Sequence, residues 1–187
     1  PYFYMSQEFN PLKLDLQAFA NAGAMLQDMH DIEVFPRLSQ ELPRPELGHH
    51  EDYFVQWAVA GTLEQGPDGS PQVWLHLKLR GCFPMTCQRC LDIVGIPISF
   101  DHSYRFVATE EQADLEDEES IEDVLAFTQH FNILELVEDE VLMALPLLPT
   151  HDTCPKPLKT EVLDKDFVEP EKKPNPFSVL QGLKTKS

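Results

Sequence analysis

The chain has 187 residues, of which 42% are hydrophobic, and a formal net charge of −18. That length suits one domain of ordinary size, whose hydrophobic core is large enough to be stable without disulfide bonds. No apolar run approaches the roughly 18 residues of a membrane span, and the start of the sequence lacks the pattern of a signal peptide. We therefore expect a cytoplasmic protein without a membrane partner, in which the four cysteines are thiols or metal ligands.

The charges are distributed unevenly along the chain. Residues 106–155 contain no Lys or Arg, and half of the fourteen basic residues follow Pro155. An acidic body repels the phosphate backbone of nucleic acids, whereas a basic protein is an electrostatically favourable partner. The same charge also fits a simpler role in keeping the protein soluble. Charge alone leaves both interpretations open.

Residues 1–50 predict an N-terminal arm with one short helix. Asp15 is a suitable N-cap for the segment LQAFANAGAML, in which apolar residues recur at helical spacing. The prolines at 36, 43 and 45 then interrupt the chain and predict a loop or short turns.

Alternating apolar residues predict an antiparallel hairpin that has one buried face. The tetrapeptide Gly66-Pro67-Asp68-Gly69 provides the turn formers between its two strands. The residues expected on the buried face are Tyr53, Val55, Trp57 and Val59 in the first strand and Val73, Leu75, Leu77 and Leu79 in the second.

A second strand pair is predicted at residues 82–86 and 93–107, with Cys87 to Cys90 at the chain reversal between them. Pro97 indicates an edge position or a bulge. The acidic segment 109–123 follows, and it predicts a mobile loop or a weak helix because its nine acidic side chains repel one another.

The main helix is predicted over residues 133–145. Asn132 can cap its start, and Pro146 ends it. Apolar residues recur on one face, which we expect to lie across the apolar face of the sheet, while the acidic residues lie largely away from it.

These elements predict an α+β fold, with an antiparallel sheet of hairpins packed against one main helix. The core domain spans residues 51–154 and carries the N-terminal helical arm. Residues 155–187 form a Lys- and Pro-rich tail that we expect to be loosely ordered, with a short terminal helix starting at Asn175 and Pro176.

Two residue pairs have a spacing that is typical of metal ligands. Cys87 and Cys90 are separated by two residues, as are His151 and Cys154. Together they predict a closed site of three sulfurs and one nitrogen, the ligand set of structural zinc. An unmetallated turn with ordinary thiols remains open. A redox pair is the weaker alternative, because no strand-then-helix pattern follows Cys90 to lower a thiol pKa.

Catalytic motifs are not apparent in the sequence. It has no phosphate-binding Gly-rich loop, no nucleophile elbow and no paired-histidine metalloprotease motif. The acidic run VEDE fits a solvated helix face better than a pair of catalytic carboxylates. The sequence therefore predicts that the protein is not an enzyme.

The stretches CQRCLDIVGIPI, LVEDEVLMALPLLPTHDTC and KPNPFSVLQGLK, in this order, resemble the bacterial YceD family of large ribosomal RNA subunit accumulation proteins. The resemblance runs over about residues 53–184. It implies a non-enzymatic role in ribosome biogenesis, without which large-subunit ribosomal RNA or its precursor fails to accumulate. It carries over Cys87 and Cys90, the acidic helix at Glu138 and Asp139, and the Pro176-Phe177 segment of the tail. Some family members carry further cysteines in the region that matches residues 151–154.

The charge and the resemblance together predict a basic ribosomal or assembly protein as the partner. Direct binding of precursor large-subunit ribosomal RNA is the alternative, through a local face of Trp74 with Arg80, Arg89 and Arg105. The residues that we expect at the partner interface are Arg89, Glu138, Asp139, Pro176 and Phe177.

Overall fold

The computed structural model describes residues 8–44, 53–67, 69–118 and 120–156. The predicted terminal helix and the rest of the predicted tail beyond residue 156 lie outside the described residues.

Five strands form one open sheet in the order β1-β2-β3-β4-β5, with antiparallel neighbours except for the parallel pair β4 and β5. The strands are β1 (Met25–His30), β2 (Phe54–Gln65), β3 (Pro71–Thr86), β4 (Ile93–Val107) and β5 (Asp123–Ala126). The helices are α1 (Leu16–Asn21), α2 (Pro36–Glu41), α3 (Glu110–Asp117) and α4 (Ile133–Ala144), and a 3₁₀ turn covers Ile32–Val34. The predicted α+β class is confirmed.

The predicted hairpin is strands β2 and β3, and its apolar face is the centre of the core. Val55, Trp57 and Val59 are buried on β2, and Trp57 is paired with the buried Leu79 of β3. The alternation in the sequence therefore identified the face that turns away from water.

Strand β3 is longer than the sequence predicted. Residues 82–86 continue β3 and do not form a separate strand, and Cys82 pairs with Phe54 on one side and Pro97 on the other. Glycine at position 81 permits this continuity, because a Cβ there would lie 2.6 Å from the Phe54 carbonyl oxygen. Pro97 lies in the part of β4 that pairs only with β3 within the described sheet, as its predicted edge position requires.

The first fifty residues contribute more than the predicted helix. Asp15 caps α1 by accepting a hydrogen bond from the Ala18 backbone amide, and Met25–His30 forms the edge strand β1. Met25 and Met29 are exposed in this strand. An edge strand with so little apolar burial has no clear period of two, which explains why the pattern was missed.

The acidic segment 109–123 forms helix α3 and the first residue of β5, where the sequence predicted a mobile loop or a weak helix. The side chain of Arg105 in β4 is only 8% exposed and forms ion pairs with Glu116 and Glu122. This buried cation offsets part of the repulsion among the acidic side chains and holds them against the sheet.

Helix α4 lies where the main helix was predicted. Asn132 caps it by accepting hydrogen bonds from the Leu134 and Glu135 amides. Its apolar face is buried in the same core as β2 and β3, through Ile133, Val137 and Val141. Within the described residues no helix has the length and apolar character that would be needed to cross a membrane.

Candidate metal centre

The Cys87–Cys90 pair lies in the tight turn that connects β3 to β4. The Cys87 amide donates a hydrogen bond to the Asp92 carbonyl at 2.9 Å, and the Leu91 amide donates one to the Cys87 carbonyl, also at 2.9 Å. Leu91 adopts a left-handed φ of 63°, which lets the chain reverse within a few residues. Both sulfurs are thereby placed on one side of a short, hydrogen-bonded turn.

The segment that follows α4 is held against this turn by backbone contacts. The Gln88 amide donates a hydrogen bond to the Pro149 carbonyl at 2.9 Å. The Arg89 guanidinium donates to the carbonyls of His151 and, at 3.4 Å, Asp152. Arg89 therefore fixes the loop that carries the second pair of candidate ligands.

The fold brings together the four residues that the spacing indicated. One ligand atom each from Cys87, Cys90, His151 and Cys154 lies within 4.8 Å of all the others, and the Cys90 sulfur is 3.4 Å from His151 Nδ1. Ligands around a tetrahedral zinc ion are about 3.5–4 Å apart, as follows from bond lengths of about 2.1–2.3 Å. The donor set and its spacing fit a zinc ion of the Cys₃His type.

The environment of Cys87 favours the thiolate, whereas that of Cys154 favours the thiol. Burial raises the pKa of Cys87, but hydrogen bonds from the backbone amides of Cys90, His151 and Arg89 and from the His151 side chain outweigh it and lower the pKa to about 5. Burial and hydrogen bonds to Cys90 and Cys87 raise the pKa of Cys154 to about 11. A bound divalent cation is the partner that would hold all three sulfurs as thiolates.

Four protein ligands would complete a tetrahedral shell and leave no coordination position for a substrate, as in structural zinc sites. Cys87 is fully buried, and the other three residues are partly buried. This arrangement is suited to joining the β3–β4 turn to the loop after α4.

The two acidic residues expected at the partner interface, Glu138 and Asp139, have different environments. Glu138 is 4% exposed, and its carboxylate accepts hydrogen bonds from the backbone amides of Arg37 and Leu38 and from Arg37 Nε. Asp139 is exposed and forms an ion pair with Arg37 Nη1 at 2.5 Å. Glu138 therefore faces the protein, and Asp139 faces solvent.

Sequence reasoning missed the role of Arg37. A local signal existed: Phe35, the N-cap of α2, has no side chain that can cap, so another element has to satisfy the first amides of this helix. The sequence could not show that the acceptor lies 101 residues away.

The predicted basic face does not form as expected. Arg105 is 6% exposed and is occupied by acidic residues around α3, while Trp74 stacks on His76 at a centroid distance of 6.4 Å. Arg80 is exposed and donates to the Gln56 side chain. The prediction that Arg105 belongs to an RNA-binding face was wrong, because its guanidinium group is buried and paired with acidic residues. Pro176 and Phe177 lie outside the described residues.

Comparisons with known proteins agree with the resemblance in the sequence. The profile of the family described as large ribosomal RNA subunit accumulation protein YceD matches residues 75–184. A large ribosomal RNA subunit accumulation protein YceD from Haemophilus influenzae is 35% identical over 129 residues, which cover 67% of this chain and 73% of the relative. No solved structure matches the chain. The chain thus belongs to the YceD family, whose name refers to accumulation of the large ribosomal RNA subunit.

Proposed function

We propose that this protein supports the synthesis or accumulation of large-subunit ribosomal RNA without catalysing a reaction, by binding a basic ribosomal or assembly protein. The observation that carries the proposal is the charge of residues 106–155, which include α3 and α4 and contain no Lys or Arg. A cationic protein is attracted to such a surface, whereas the phosphate backbone of RNA is repelled by it.

Helix α3 supplies the most concentrated part of the proposed contact surface. Its apolar Leu115 is 74% exposed, so a partner can bury it while its cations meet the surrounding carboxylates. The α3 surface consists of Leu115 with the exposed acidic residues Glu110, Glu111, Asp114, Asp117 and Glu118.

Residues near the metal centre and on α4 are proposed as further contacts of the partner. Asp139 offers an exposed carboxylate, and Glu138 positions α2 and Arg37 beside it. Arg89 is exposed and holds the loop at residues 151–154. We also propose that Pro176 and Phe177, which lie outside the described residues, bind the partner through an apolar contact.

We further propose that Cys87, Cys90, His151 and Cys154 bind one zinc ion as a structural group. The closed ligand set and the 4.8 Å limit on the distances among its donor atoms support this assignment. The ion would keep the loop after α4 docked on the β3–β4 turn and so preserve the shape of the surface that the partner meets.

The proposal is tested by comparing two classes of ligand for the purified full chain at about 0.15 M salt. The ligands are a set of purified large-subunit ribosomal proteins and a transcript of precursor large-subunit RNA. We expect binding to at least one basic protein and weak binding to the transcript. Tight binding to the transcript with no binding to any of the basic proteins would overturn the proposed mode of action.

Two variants with the same change in net charge locate the contact. Glu110→Gln/Glu111→Gln/Asp114→Asn alters the α3 surface, and Asp28→Asn/Asp31→Asn/Glu33→Gln alters exposed acidic residues in and after β1. Loss of close charge pairs should weaken the protein complex about tenfold in the first variant and by less than about threefold in the second. Equal effects would show that only net charge matters.

A further inference from the structure

A second cluster of metal-binding groups lies away from the cysteines. His102, Asp123 and Glu140 each place one ligand atom within 4.8 Å of the other two, and His102 Nδ1 is 3.0 Å from Glu140 Oε2. One nitrogen and two carboxylate oxygens form a donor set that binds divalent first-row transition cations.

Three different elements build this cluster. In β4, His102 and Tyr104 are two residues apart and therefore point to the same face of the sheet. Asp123, the first residue of β5, pairs in parallel register with Tyr104. Glu140 comes from α4 and is largely buried, with a side chain that is 14% exposed. The cluster is therefore set by the packing of α4 on the β4–β5 edge and does not depend on a loop.

The hydroxyl group of Tyr104 is a second, independent observation that points to a ligand at this cluster. Tyr104 is 1% exposed, and its Oη makes no hydrogen bond of acceptable geometry with any described residue, although the Glu140 carboxylate lies beside it. A buried hydroxyl without a hydrogen-bond partner is energetically unfavourable.

The two carboxylates of the cluster also favour a bound cation. No Lys or Arg within the described residues forms an ion pair with Asp123 or Glu140, and the basic side chain beside Glu140 is that of His102. Two carboxylates held this close together repel each other, more strongly so beside a buried ring where water is scarce.

We propose that His102, Asp123 and Glu140 form a binding site for one divalent cation of the Mn²⁺ or Fe²⁺ class, with Tyr104 hydrogen-bonded to a water molecule on the ion. Oxygen-rich donors with one imidazole suit these ions, whereas the thiolates of the other centre select zinc. His102 and Asp123 are exposed, so the ion remains accessible to solvent and exchangeable. This site is independent of the proposed ribosomal role.

The probe is Mn²⁺, titrated into the full chain with its cysteine centre saturated with zinc, and free Mn²⁺ is measured by electron paramagnetic resonance. We expect one saturable site per chain. Asp123→Asn and Glu140→Gln each remove one ligand charge and should raise the Kd about tenfold or more. The matched control is Glu135→Gln, an exposed position on the same helix with the same charge change, which should leave the Kd within about twofold.

Nuclear magnetic resonance provides a second readout that does not depend on affinity. Bound Mn²⁺ should broaden the signals of His102 and Tyr104 and leave those of His30, at the opposite edge strand β1, unaffected at one equivalent. Asp123 lies at the start of a strand and is exposed, so Asp123→Asn preserves a folded variant for this test. Absence of saturable binding below about 1 mM, or equal weakening by Glu140→Gln and Glu135→Gln, would reduce the cluster to an ion pair on an acidic surface and overturn the proposal.

Discussion

The carboxylate of Glu138 in α4 caps helix α2 through the backbone amide of Arg37, which donates a hydrogen bond to Glu138 Oε1 at 2.6 Å. The same oxygen accepts a second hydrogen bond from the Leu38 amide at 3.1 Å. Phe35 at the N-cap offers no acceptor, and Pro36 has no amide hydrogen to satisfy. An acidic residue from a distant helix thus supplies the missing cap and places negative charge at the positive end of the α2 dipole.

Replacement of Glu138 should therefore lower the stability of the folded protein, because helix α2 loses its cap. Glu138→Gln removes the charge from a buried set of hydrogen bonds, and we expect the free energy of unfolding to fall by about 1.5–3 kcal/mol. The measurement is urea unfolding followed by circular dichroism. Glu135→Gln, which changes an exposed charge on the same helix, should cost less than about 1 kcal/mol. Equal losses in both variants would contradict the capping role.

The proposed zinc centre predicts a defined metal content. Freshly purified protein should contain about one zinc ion per chain by mass spectrometry, and Cys87→Ser should reduce this to below about a tenth, the level of adventitious metal. Cys82, which lies earlier in β3 and outside the cluster, provides the matched control, and Cys82→Ser should keep the metal. Wild-type protein below about a tenth of an equivalent would exclude the four-ligand site.

The parts of the fold that the sequence predicted are those that leave a local pattern. Val55, Trp57 and Val59 alternate strictly because one face of β2 is buried, and the run from Ile133 to Ala144 has helical spacing with a cap. Strand β1 leaves no such pattern, since an edge strand with exposed methionines obtains its stability from pairing with β2.

The candidate site also has parts that a local sequence pattern indicates and parts that no local pattern indicates. The two-residue spacing indicated both halves of the cysteine and histidine cluster, because a tight turn needs that separation to present two ligands. Contacts between distant residues leave no signal in one sequence. Glu138 and Arg37 are 101 positions apart, and His102 and Glu140 are 38 apart. Arg105 was misplaced for the same reason, since its acidic partners are recognised only once α3 packs on β4.

The link between Arg105 and α3 should weaken in acid. Hydrogen bonds from Gln112 and Arg105 lower the pKa of Glu116 below its ordinary value of 4.5, so this carboxylate stabilises the fold above that pH and the contribution is lost as the pH falls through the lowered pKa. The difference in unfolding free energy between wild type and Glu116→Gln should be present at pH 7 and shrink below pH 4.5. Exposed Glu111 serves as control. A difference between wild type and Glu116→Gln that does not change with pH would contradict this assignment.

Gly61 in β2 permits the close approach of α1. A Cβ at this position would lie 2.6 Å from Phe19 Cδ1 and 3.0 Å from Ala20 Cα, and the Gly61 amide donates a hydrogen bond to the Ala24 carbonyl. Gly61→Ala should therefore lower the free energy of unfolding by about 1–3 kcal/mol, because the core has no space for the added methyl group.

A double-mutant cycle separates this steric effect from a general loss of β2 stability. Phe19→Leu removes part of the ring that the new methyl group would meet, so the loss in Gly61→Ala/Phe19→Leu should be smaller than the sum of the two single losses. Independent sites add to within about 0.5 kcal/mol. Additive losses within that margin would show that contact with Phe19 is not the reason for glycine at this position. The close approach of the α1 backbone at Ala20 would then be the reason.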